Sequence, residues 1–63
     1  MNAQVLHTVN DYGVLLQGED IYVAQYIDDE WVFVYGYWHD SQSGMYQALD
    51  LIDDLMVPVK QPL

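Results

Sequence analysis

The sequence predicts an α+β fold, a four-stranded antiparallel meander with one C-terminal amphipathic helix packed on the aliphatic face of the sheet. Three observations carry this expectation. Residues 4 to 38 are dominated by β-branched and aromatic side chains, which suit a pleated, half-buried surface. Polar turn clusters break that run at Asn10-Asp11-Tyr12-Gly13, Gln17-Gly18-Glu19-Asp20 and Asp28-Asp29-Glu30. From Met45 onward the apolar residues Met45, Ala48, Leu49, Ile52, Leu55 and Met56 recur at the i, i+3, i+4, i+7 spacing of one helix face.

Three turns separate four strands, expected near residues 4–9, 13–17, 20–27 and 30–38. In the segment Asp40-Ser41-Gln42-Ser43-Gly44, an Asp or Ser side chain can accept hydrogen bonds from the orphan N–H groups of a helical first turn. The helix should then run from Met45 and stop before Pro58, which can supply no N–H and clashes with the preceding turn. This gives a single domain over residues 1–57 and an extended tail over 58–63, with prolines at 58 and 62.

The strand register follows from asking which pairing sorts side chains sensibly onto two faces. A two-residue turn at Asp28-Asp29 sets Tyr26 against Trp31, Ala24 against Phe33 and Tyr22 against Tyr35, with Gln25, Val23 and Ile21 against Val32, Val34 and Gly36. Continued through Gly18-Glu19, it sets Leu16 against Ile21, Val14 against Val23 and Leu15 beside Tyr22. One face is then aliphatic (Val14, Leu16, Ile21, Val23, Val32 and Val34, with Val5 and Val9) and receives the helix. The other carries Tyr22, Tyr26, Trp31, Phe33, Tyr35 and Tyr37 beside Leu6 and Leu15. One helix covers one face, so the aromatic face is expected to meet a partner or a second copy. A tail or a curled sheet covering it, or tyrosines that simply tolerate water, would be the alternative.

Charge narrows the function classes. Among 63 residues there are ten Asp and Glu, one Lys (Lys60) and no Arg, a formal net charge of -9. Such a chain cannot neutralise phosphates, so direct binding to nucleic acid or to an anionic membrane is not expected, and partners should be basic or neutral. The two Trp, six Tyr and many Val, Leu and Ile distinguish it from acidic disordered segments. Without cysteine there is no disulfide, thiolate metal site or thiol catalysis. The N-terminal residues lack a positive region and a long apolar run, and no stretch has the length of a membrane span, so a cytoplasmic location is expected.

Meander topology also places the acids. The first and third turns share one end of the sheet, and a helix starting near Asp40 must run back toward that end. Asp11, Asp28, Asp29, Glu30, Asp50, Asp53 and Asp54, seven of the ten acids, are therefore expected on one end and side. The pattern opposes helix stability, because Asp53 and Asp54 fall in the last turn, where the macrodipole favours cations, and Asp50 repels Asp54 at i, i+4. A locally unfavourable pattern of one sign points to function, with solubility as the competing explanation.

Catalytic chemistry is sparse. His7 lies on a strand and His39 in a loop beside Asp40 and Ser41, and three residues adjacent in sequence cannot converge on one substrate atom. The glycines at 13, 18, 36 and 44 are isolated and form no phosphate loop. Asp28, Asp29 and Glu30 offer hard oxygen ligands without EF-hand spacing, so neither a dedicated metal site nor a cofactor is expected. The expectation is a binding protein, not an enzyme.

In size, charge, absence of cysteine and sheet-plus-helix plan the chain resembles small acidic phage-encoded inhibitors that mimic nucleic acid, of the anti-CRISPR, anti-restriction and uracil-DNA glycosylase inhibitor types. The resemblance covers the whole chain in plan and matches no specific motif. It implies stoichiometric inhibition of a basic nucleic-acid-binding protein without turnover, often as a homodimer, in a host cytoplasm. The second reading is an interaction module, a homodimer or assembly subunit using Tyr22, Tyr26, Trp31, Phe33, Tyr35 and Tyr37, with the acids serving solubility. Sequence leaves open whether such a dimer would form through the sheet face or the edge strand 30–38.

Overall fold

The structure is a computed structural model that describes residues 3–56. Residue 57, the expected tail over 58–63 and Lys60 within it lie outside the described residues. Strands β1 (Gln4–Val9), β2 (Tyr12–Gln17), β3 (Asp20–Ile27) and β4 (Glu30–His39) precede one helix, α1 (Gln42–Met56). The strands form one antiparallel sheet in the order β1-β2-β3-β4, the meander that the turn pattern predicts.

Each hairpin closes through two residues, and the left-handed conformations fall on residue types that tolerate them. Asn10 has φ 55° in the first turn and Gly18 φ 66° in the second. Asp28 and Asp29 both have positive φ, 52° and 67°, as a type I′ turn requires. That turn twists with its strands, but it uses two adjacent carboxylates where Asn-Gly is the favoured pair.

The helix begins three residues before the expected Met45. Ser41 is its N-cap: the Ser41 hydroxyl oxygen accepts from the Gly44 N–H at 3.1 Å, and the Ser41 carbonyl accepts from the Met45 N–H at 2.9 Å. The polar first turn carries no apolar periodicity, which is why the stripe does not reveal it. Gly44 is buried where α1 crosses the end of β4, and a Cβ there would collide with the His39 carbonyl oxygen and crowd the Trp38 Cβ at 3.2 Å.

Between β2 and β3 the register is as expected, with Val14 opposite Val23, Leu15 opposite Tyr22 and Leu16 opposite Ile21. The β3–β4 pairing matches only near its turn, through Tyr26–Trp31, Gln25–Val32 and Ala24–Phe33. Beyond it Tyr22 lies opposite Gly36, Val23 opposite Tyr35 and Ile21 opposite Trp38, correcting the expected partners Tyr35, Val34 and Gly36. Two β-bulges cause the change, each adding one residue to β4, at Val34 and at Tyr37. The β1–β2 pairing shifts in the same way between Val5 and His7, with Leu6 as the extra residue.

The core forms between the sheet and α1. Val14, Ile21, Val23 and Ala48 are fully buried and Ile52 is 1% exposed, with Leu6, Val9, Leu16, Val34, Trp38, Met45, Leu49 and Met56 packed around them. Most of the expected aliphatic set is there. The bulge in β1 puts Leu6, expected on the aromatic face, over the core and leaves Val5 42% exposed. Val32 and Leu55 are also largely exposed: Val32 sits near the β3–β4 turn, opposite Gln25, and Leu55 lies on the flank of the helical stripe.

Candidate functional site

The seven acids expected at one end are all exposed. Two contacts show how the elements converge there. The Tyr26 N–H donates to the Asp11 carbonyl at 2.7 Å, bringing the first turn beside β3 just before Asp28. The Asn10 side-chain amide donates to the Met56 sulfur at 3.1 Å, tying the last turn of α1, with Asp53 and Asp54, to the same end. Asp50 lies one helical turn back, and Asp28, Asp29 and Glu30 cap the neighbouring hairpin. At the far end the Asp40 N–H donates to the Glu19 carbonyl at 2.9 Å, and Asp20 faces His39 across the strands.

No Lys or Arg stands among the described residues. The Asp11 carboxylate takes its hydrogen bond from the Gln25 amide, at 2.8 Å. Among the described residues no three His, Asp or Glu side chains gather closely enough to hold a metal ion. The carboxylates thus stand exposed on a framework of turns and helix, where solvent screens their mutual repulsion.

The sheet face away from α1 carries the expected aromatics with one correction. Tyr22, Phe33 and Tyr37 form a mutual cluster with centroid distances of 5.7, 5.5 and 5.4 Å, and Tyr26 meets Trp31 edge to face at 5.1 Å. Tyr35 does not belong to it. The bulge at Val34 carries Tyr35 to the helix side, where its ring lies 5.8 Å from Trp38 and remains 58% exposed.

This aromatic face also covers part of itself. Ala24 is fully buried and Leu15 is 3% exposed although no helix lies on this side. Small residues make room for the rings: a Cβ on Gly13 would lie 2.7 Å from the Trp31 ring, and one on Gly36 would lie 2.7 Å from the Tyr22 Cβ. The rings therefore seal the middle of the sheet, a means of coverage that the sequence pattern does not suggest. Tyr26, Phe33 and Tyr37 still stand 47%, 50% and 59% exposed on top.

Where the acidic end meets the aromatic face there is an open cleft of about 360 Å³ lined by Thr8, Asn10, Asp11, Tyr26 and Trp31. Asp11, Tyr26 and Trp31 are each candidates from the sequence, but the cleft they share is not, and its one sequence signal is Gly13 beneath the Trp31 ring. The histidines lie on opposite edge strands, His7 opposite Val14 and His39 opposite Asp20, and both are exposed. Ser41 Oγ donates to the His39 carbonyl at 3.4 Å and accepts from the Gly44 N–H as the helix cap.

No family model, curated protein or solved structure matches the chain. Among the described residues no helix is long and apolar enough to cross a membrane.

Proposed function

We propose that this chain is a non-catalytic acidic inhibitor that occupies the basic groove of a DNA- or RNA-binding protein in place of the nucleic acid. The observation that carries the proposal is that Asp11, Asp28, Asp29, Glu30, Asp50, Asp53 and Asp54 are all exposed on a folded frame, with no Lys or Arg among the described residues. A groove built to release counterions from phosphates gains in the same way from fixed carboxylates, and apolar contacts beside them slow dissociation. The chain acts in the cytoplasm, a host cytoplasm if it is phage-encoded, and binds one target without turnover. In a competition assay the protein should displace labelled nucleic acid from its target at one-to-one stoichiometry. The effect should weaken steeply between about 50 and 200 mM salt. Changing Asp28, Asp29, Asp50 and Asp54 together to Asn should abolish displacement. If neither salt nor these substitutions alter target binding, the mimic reading fails.

A second reading is favoured by a separate observation. Both edge strands are bulged, β1 at Leu6 and β4 at Val34 and Tyr37, which hinders edge-to-edge pairing, while the outer face stays uncovered at Tyr26, Phe33 and Tyr37. A homodimer or assembly contact would then use the face and not β4. Sedimentation of Phe33→Lys should give a monomer where the wild type is a dimer, and a monomeric wild type at high concentration ends this reading.

A further inference from the structure

We infer that the cleft between Thr8, Asn10, Asp11, Tyr26 and Trp31 is a receptor for an arginine side chain. The lining excludes the other ligand classes in turn. An anion would enter beside Asp11, with Asp28, Asp29 and Glu30 following on the neighbouring hairpin, and no Lys or Arg among the described residues to hold it. A neutral apolar molecule would cover the charge of Asp11 without replacing its water. A cation gains from both kinds of residue in the lining, the acidic Asp11 and the aromatic Trp31 and Tyr26.

Guanidinium fits better than ammonium. It is planar, stacks on an aromatic face and is less strongly hydrated, so it sheds less water on entering a half-open notch. The Tyr26 and Trp31 rings stand at 63° to each other, so a planar group can stack on one of them and not on both. At about 360 Å³ the cleft is at the small end of ligand sites and has room for an arginine side chain. Gln25, which holds the Asp11 carboxylate at 2.8 Å, is a positioning residue. The source of the arginine, a basic segment of the target, rests on the proposed function, whereas the receptor chemistry does not.

The test is a titration of the full chain, followed by amide and indole NMR shifts, with N-acetyl-arginine methylamide. The neutral citrulline analogue and the lysine analogue serve as comparisons. Arginine amide should shift Thr8, Asn10, Asp11, Tyr26 and the Trp31 indole together in a saturable way, more strongly than lysine amide, and citrulline amide should not. Asp11→Asn, an exposed substitution that leaves the fold in place, should weaken binding at least fivefold. Trp31→Leu should do the same, provided its amide spectrum stays dispersed. Equal shifts with citrulline, shifts spread over all the acids, or full affinity in Asp11→Asn would overturn the proposal. Arginine binding at the cleft by a chain that displaces no nucleic acid would remove the mimic reading and leave the receptor standing.

Discussion

Gly44→Ala tests how α1 is seated on the sheet. In an ordinary helix this change gains about 1 kcal/mol, because glycine surrenders more backbone entropy than alanine. Here the added Cβ would collide with the His39 carbonyl oxygen and also crowd the Trp38 Cβ at 3.2 Å. The first obstacle is backbone, held by the pairing of His39 with Asp20, and cannot rotate aside. Relief requires lifting the first turn of α1, which loosens the Ser41 cap and the packing of Ala48 and Ile52 against Val14, Ile21 and Val23. Overpacking against a fixed neighbour costs about 3 kcal/mol, so the net effect is a loss of about 2 kcal/mol. For a domain this small that lowers Tm by about 8–16 °C. Thermal unfolding followed by circular dichroism measures it, with the exposed Ser43→Ala as a control expected to stay within about 0.5 kcal/mol. If Gly44→Ala melts at or above the wild type, the close helix–strand approach is not what requires glycine there.

Other substitutions separate stability from binding. Asp54→Lys puts a cation in the last turn of α1 and replaces the Asp50 repulsion with an i, i+4 attraction, so it should stabilise by about 0.5–1.5 kcal/mol in urea melts. The same change should weaken binding to a basic target, and a variant that gains in both assays would count against a functional role for that carboxylate. Asp29→Gly relieves a left-handed non-glycine residue at φ 67° and separates adjacent like charges. Its chemical-denaturation midpoint should rise by an amount worth about 1 kcal/mol. Ile52→Ala empties a site that is 1% exposed in the middle of the core, and the loss of about 2–5 kcal/mol should leave little folded protein at 37 °C.

The parts of the fold legible in the sequence are those set by local chemistry. Asn10, Gly18 and Asp28-Asp29 are residues that tolerate left-handed backbone or favour turns, and all three hairpins close where they stand. The stripe from Met45 to Met56 shows the helix body, but its first turn rests on one serine hydroxyl and has no periodicity to read. The bulges were hidden for a different reason. Val34, Tyr35 and Tyr37 are all good strand formers, so nothing local distinguishes a paired residue from an extra one, and one extra residue is enough to move Tyr35 to the other face. That the first and third turns share one end was legible because it follows from the strand order and needs no exact register. The cleft was not, since it depends on the Trp31 ring lying over Gly13, a contact between residues far apart in sequence.

The two tryptophans stand on opposite sides of the sheet, Trp38 packed into the helix-side core and Trp31 beside Tyr26 on the other face. The protein therefore carries two built-in optical reporters with separate assignments. With Trp31 replaced by phenylalanine, the remaining emission follows the docking of the helix. With Trp38 replaced, it follows solvent and neighbours at the open face. In denaturant the first signal should change only with global unfolding, whereas the second should also respond, in native buffer, to protein concentration or added target. Unfolding and association can thus be read independently in one molecule without attaching a dye.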